Sequence, residues 1–315
     1  MSILAKMKAG AGIFACAGLF LFSGCSAAAQ PEVLARTFKN FPAEVVNRKS
    51  AVKLQPLGQW IMDYGDNNCR LSRLFGSADE PHLVMIEQAA PSGQFGLTLA
   101  GPGIRNFRKG TRTYLGLLND VPMKPLQGSM RGSVDKIGPA IILSSVFISE
   151  QAREDIDNSF SKATGIDIGQ AGKIDRVVLK LGSTVMSFET GNLEEAMVAM
   201  NTCTTNLLES WGLSAEEHRA YAPPKWLNMD DVVRRIVTNY PAAALYRGEQ
   251  AILRLRVIVE TDGSVSNCHL ENSTETERLV SPACTEMLEA RFEPARNAAN
   301  KPMRSYYATT VRYVL

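Results

Sequence analysis

Ala251-Ile252-Leu253-Arg254-Leu255-Arg256-Val257-Ile258-Val259-Glu260-Thr261-Asp262-Gly263-Ser264 decides how the last quarter of the chain is read. Ala251, Leu253, Leu255, Val257 and Val259 fall on one face at the two-residue period of an extended strand, and Ile252, Arg254, Arg256 and Ile258 fall on the other. The result is one dry face and one mixed face, with both arginines read as solvated. Asp262-Gly263 offers the positive φ that a tight hairpin requires, and residues 265–270 return as the partner strand. Over 277–291 the period changes: Val280, Cys284, Leu288 and Phe292 recur at helical spacing, with Leu279, Ala283 and Met287 beside them. Phe292-Glu293-Pro294-Ala295-Arg296 follows, and a second extended run occupies 305–315. A helix laid on a hairpin buries both apolar faces, which predicts a small α+β module.

Just upstream, Asn228 or Asp230 stands where it can cap a short helix through Val232, Val233, Ile236 and Val237, which ends before Tyr240-Pro241. The order Tyr240-Pro241, Gly248 before the first strand, Asp262-Gly263 in the hairpin and Phe292-x-Pro294-Ala295 resembles the C-terminal domain of the TonB family of envelope energy transducers. The likeness covers about the last 90 residues. It implies an αββαβ module over 228–315 that accepts an extended segment of an outer-membrane transporter as an added strand. Strand 305–315 has high β propensity and is the edge expected to do so, with Tyr306, Tyr307, Thr309, Val311 and Tyr313 as candidate partner-binding residues. Internal pairing, or pairing with a second copy in a homodimer, are the alternatives. The chain departs from a transducer in two respects. Residues 12–22 hold no histidine for a motor-coupled membrane helix, and a folded unit stands where a long proline-rich spacer belongs.

The first 29 residues read as an export signal: Lys6 and Lys8, an apolar core over 9–22, then Ala27-Ala28-Ala29 at a cleavage point. The core is short for a transmembrane span. A second reading takes Leu21-Phe22-Ser23-Gly24-Cys25 as a lipoprotein site with Cys25 lipidated, and only then does the protein touch a membrane. Either way the expected location is the periplasm. Of 34 basic residues, Lys6 and Lys8 leave with the signal, so 32 face 32 acidic ones and no nucleic-acid partner is expected. Residues 30–55 are polar and weakly patterned and read as a tether, within which a short strand is an open alternative.

Residues 56–213 read as a β-rich unit, a sandwich or open barrel, with strands expected near 60–64, 69–71, 83–88, 94–100, 140–149 and 176–181. A helix over 193–211 follows, with Asn192 as N-cap, Leu193, Met197, Met200, Thr204, Leu207, Leu208 and Trp211 on one face, and Gly212 at its stop. Residues 214–227, with Pro223-Pro224, read as a stiff linker. Outside the signal the cysteines are Cys69, Cys203, Cys268 and Cys284. Three pairings exist, and proximity with the division of the chain favours Cys268–Cys284 and Cys69–Cys203. A zinc site is the rival, but Cys-x-x-Cys is absent and His82, His218 and His269 lack ligand spacing.

No catalytic constellation emerges. Gly-x-Ser-x-Gly is absent, Gly101-Pro102-Gly103 places a proline where a phosphate cradle needs an amide, and His218 and His269 read as solvated surface residues. The absence of such a constellation predicts a non-catalytic protein without cofactor, and the resemblance to the TonB family implies a binding or scaffolding role in the envelope, linked to TonB-dependent transport. The alternatives are a genuine transducer with its N-terminus retained as an anchor, and an exported hydrolase.

Overall fold

The computed structural model describes residues 2–6, 51–107, 112–126, 128–148, 165–272, 274 and 279–314. Cys25, most of the signal and positions 30–50 of the expected tether lie outside them. The chain is a strand-rich α+β protein. Its strands begin with β1 (Ser2–Lys6), β2 (Ala51–Leu54), β3 (Ile61–Tyr64), β4 (Cys69–Gly76), β5 (Pro81–Gln88) and β6 (Gln94–Ala100). Next come β7 (Tyr114–Gly116), β8 (Lys124–Pro125), β9 (Met130–Val134), β10 (Gly138–Phe147), helix α1 (Ile168–Ala171), β11 (Val177–Leu181), β12 (Thr184–Phe188) and α2 (Glu194–Ser210). Among the described residues these strands, β1 excepted, form a six-stranded sheet, β3-β4-β5-β6-β10-β9, and a five-stranded sheet, β2-β12-β11-β7-β8.

Alternation explains why the sheets share one core. Leu71 and Phe75 of β4, Val84 and Ile86 of β5, Leu97 and Leu99 of β6 and Ile141 of β10 point to the same side. There they meet Val177 and Leu179 of β11 and Phe188 of β12. Helix α2 closes this core with Met197, Met200, Cys203 and Leu207, so the methionine stripe is packing. Leu193, not Asn192, is the N-cap of α2; Asn192 stands one residue earlier, its Oδ1 accepting from the Glu194 amide at 2.7 Å, and Gly212, at φ 70°, turns the chain out of the helix. The disulfide Cys69–Cys203 ties α2 to β4. Ala51–Leu54, at the end of the expected tether, is not spacer but strand β2, parallel to β12. Strand β12 itself, joined to β11 through Gly182 and Ser183, was hidden from the periodicity because Thr184 to Phe188 lacks clean alternation.

The C-terminal module adds β13 (Lys225–Trp226), α3 (Met229–Thr238), α4 (Ala242–Arg247), β14 (Ala251–Val259) and β15 (Val265–Asn272). It continues through α5 (Ala283–Met287), β16 (Phe292–Glu293), β17 (Ala295–Arg296), β18 (Pro302–Met303) and β19 (Ser305–Val314). Its sheet runs β1-β19-β14-β15. The Asp262-Gly263 turn joins β14 to β15 as expected; Gly263 has φ 83°, and a Cβ there would stand 1.9 Å from the Phe292 carbonyl oxygen. The dry face of β14 packs with Val232 and Ile236 of α3, Met287 of α5 and Val311 and Tyr313 of β19.

The helix expected over 277–291 is shorter and turned. Pro282 precedes its first residue, and among the described residues of that span only Ala283–Met287 is helical. Leu279, Ala283, Met287 and Ala290 are buried, whereas Val280 is 82% exposed and Leu288 also faces solvent. The disulfide Cys268–Cys284 sets that rotation by holding Cys284 toward β15. Asn228 does precede α3, but its side chain caps nothing; it bonds the Arg291 amide and the Glu289 carbonyl and so braces the module's far loop. Residues 214–227 are pinned along their length: β13 pairs with β16, and Ala222 bridges to Arg296.

Candidate partner-binding edge and the seam behind it

Strand β19 is the centre of the module. On one side it pairs antiparallel with β14 along its length, Ala251 opposite Tyr313 and Val259 opposite Ser305. On the other side Ser2–Lys6 lies parallel to it, with Ser2 opposite Thr310 and Lys6 opposite Val314. Beyond that short strand, toward Tyr306, the same flank of β19 borders a groove of about 420 Å³, walled by Trp226, Tyr221, Phe95 and Gln94.

The candidate edge side chains point away from solvent on both faces of the strand. Tyr307, Val311 and Tyr313 belong to the module's own core, and Thr309 is buried. Tyr306 points the other way, into the seam. Burial raises the Tyr307 phenol to about 12 and holds the Tyr306 phenol well above its ordinary value, so both stay neutral. What β19 can offer a partner is therefore its backbone, flanked by the groove.

The mixed face of β14 is where the structure departs most from expectation. Arg254 and Arg256 are 7% and 8% exposed, not solvated, because the upstream unit covers them: the outer face of the six-stranded sheet lies over Arg254, and Trp211 and Asn67 lie over Arg256. Arg254 Nη2 donates to Glu87 Oε2 at 3.0 Å, and Arg70 Nε donates to Glu87 Oε1 at 3.1 Å. Gly96, beside Glu87 on β6, leaves the room: a Cβ there would lie 2.4 Å from Arg254 Nη2. Arg70 Nη2 also donates to Glu271 Oε1 of β15 at 2.8 Å, and Asn68 bonds the same oxygen. One carboxylate from each sheet thus receives cations at the seam.

Arg256 lies over the Trp211 ring, with its guanidinium carbon 3.9 Å from the centroid. Tyr306 donates to the Pro91 carbonyl at 3.2 Å and packs with Ile258, Leu208, Leu213 and Ala90. His218, read from sequence as solvated, is buried here and stacks on Tyr306. Its Nδ1 sits 2.7 Å from the Ser214 carbonyl and must donate to it, which leaves Nε2 to accept from the Ser305 hydroxyl at 2.9 Å. Burial lowers its pKa, so the ring is a neutral clamp. His82 is likewise structural: Nε2 accepts the Gly103 amide at 3.1 Å, which occupies an amide of the Gly101-Pro102-Gly103 loop. Among the described residues no group of three or more His, Cys, Asp or Glu side chains is placed to hold a metal.

A helix, a hairpin, a short helix and a closing strand beside the hairpin's first strand make the order that the motifs predicted, and residues 237–315 match the family described as Gram-negative bacterial TonB protein C-terminal. Residues 237–315 are a TonB C-terminal domain. The match begins at the end of α3 and takes in β14, β15, α5 and β19. No curated protein and no solved structure matches the chain. In this TonB C-terminal domain the mixed sheet face is already covered by the upstream unit, and β1 lies along part of the other flank of β19. Arg254, Arg256, Glu87 and His218 were not identified from sequence as a cluster. The one signal available was two arginines at alternate positions of an otherwise apolar strand.

Proposed function

We propose that this is a non-catalytic periplasmic envelope protein whose TonB C-terminal domain binds an extended segment of a partner as an added strand along β19. The observation that carries the reading is β1. A five-residue segment lies parallel to Thr310 through Val314, which supports a backbone edge that accepts an extended chain in defined register. Residues 1–29 read as a signal removed on export, and their removal would leave that flank of β19 open. The family supports an outer-membrane transporter, or another envelope protein of that transport machinery, as the source of the incoming segment. The upstream unit then serves as a rigid support for the sheet, in place of a flexible spacer. Scaffolding fits this geometry better than energy transduction, because the sheet face is fixed against Glu87 and Trp211.

Hydrogen exchange tests this. In the chain from residue 30 onward, the amides over 310–314 should exchange faster than in the full chain, and slow again when an N-terminal transporter segment is added. Unchanged protection in both comparisons would overturn strand addition. Concentration-dependent protection without any transporter segment, together with a doubled mass in solution, would assign the edge to a homodimer instead.

A further inference from the structure

A cavity of about 660 Å³ opens at the seam, on the opposite flank from the β19 groove, between the β3–β4 turn, α2 and β14. Its size is that of a small-molecule pocket. Three charged side chains line it: Arg256, Arg304 and Asp66. Arg304 is satisfied, donating from Nε to Glu260 at 3.0 Å and from Nη1 to the Gly212 carbonyl at 3.2 Å. Asp66 is exposed on the turn at the rim. Arg256 differs from both. It is 8% exposed, its Nη2 reaches only a neutral acceptor, Asn67 Oδ1 at 3.3 Å, and its Nε and Nη1 have no hydrogen-bond partner.

A buried guanidinium facing an aromatic ring and one amide is undercompensated. A buried cation needs an anion or several acceptors, and cation–π contact replaces only part of that. The neighbouring Arg254, two residues along the same strand, has such an anion in Glu87. Burial accordingly pushes the Arg256 pKa down to about 10, still far enough above neutrality to keep the charge. Trp211 Nε1 is a second buried donor without a partner on the cavity's wall, and Asn206 on α2 adds an amide at its mouth.

We propose that this cavity binds a small organic oxyanion, a carboxylate or phosphate, with Arg256 as the residue that receives its charge. A guanidinium presents paired donors matched to the two oxygens of such a group. Because Arg256 belongs to the C-terminal domain while Trp211, Asn206 and Asn67 belong to the upstream unit, the ligand bridges the two. The inference is independent of strand addition at β19, which lies on the other flank.

The test is a tryptophan-fluorescence and thermal-shift titration of the full chain with inorganic phosphate and, separately, with glucuronate, each against sodium chloride at equal ionic strength. The expected result is a saturable response to at least one probe, weakened at least tenfold by R256Q. A second variant, N206D, places a carboxylate at the solvent-exposed mouth without touching the core and should weaken binding by a similar factor. A phosphate response names a phosphorylated ligand, and a glucuronate response names a carboxylate. No response beyond that of chloride, or binding that both variants leave within twofold, would overturn the proposal.

Discussion

At the scale of single residues, Glu87 carries the most. Its two oxygens each hold a different arginine, one from its own sheet and one from the C-terminal domain, and both Glu87 and Arg254 are buried. Removing a buried partner strands the other charge, which costs about 3–5 kcal/mol. E87A should therefore lose stability of that order in urea unfolding, and R254M in the same chain should restore much of it. A loss below about 1 kcal/mol would mean that water reaches Arg254. None of this was legible from sequence. The alternation of Arg254 and Arg256 located them on one face, but Glu87 lies 167 residues from Arg254 and Asn67 lies 189 from Arg256, and no local pattern reports what covers a strand. His218 was misread for the same reason: next to Glu216 and Glu217 it resembles surface, yet Ser305, 87 residues on, completes its burial.

Elements were read more faithfully when their determinants were local. The β14–β15 hairpin followed from alternation and Asp262-Gly263, and α2 from a periodic stripe with Asn192 before it and Gly212 after it. The 283–287 helix was overextended because apolar residues at helical spacing occur on two adjacent stripes, and only the Leu279, Ala283, Met287 stripe is buried. The choice between stripes was made by the Cys268–Cys284 bond and by Pro282, neither of which a period measures. That bond spans 16 residues and should contribute about 3 kcal/mol through loop entropy, against about 5 kcal/mol for Cys69–Cys203, which spans 134. Alanine pairs at each position, compared by denaturant unfolding under oxidising conditions, should preserve that ranking. Equal losses would mean that native packing, and not chain closure, dominates.

For the whole molecule, the sequence allowed two separate bodies joined by a stiff segment, whereas the described chain has two cores cemented by a third cluster around Tyr306, Leu208 and Ile258. Acid should loosen it. Burial lowers the pKa of His82, His218 and His269 in the folded chain, the last helped by the charge of Arg256. Each folded-state value lies below the unfolded value near 6.5, so the unfolded chain takes up protons first as pH falls. Stability is then full above pH 6.5 and declines below it until each folded-state value is passed, most for the buried His218 and least for the partly exposed His269. Urea unfolding at pH 7.5 and 5.5 should register the decline, and H218Q should make it shallower; an unchanged slope in H218Q would remove His218 from the account.

The two disulfides are neither nested nor interleaved: Cys69 joins Cys203 and Cys268 joins Cys284. Of the three pairings open to four cysteines, this is the one produced when each thiol bonds to the next to arrive. A chain entering an oxidising compartment from its N-terminus would thus reach its native connectivity by consecutive oxidation. It requires a disulfide donor, with no obligatory reshuffling step, and its maturation should be insensitive to loss of a disulfide isomerase.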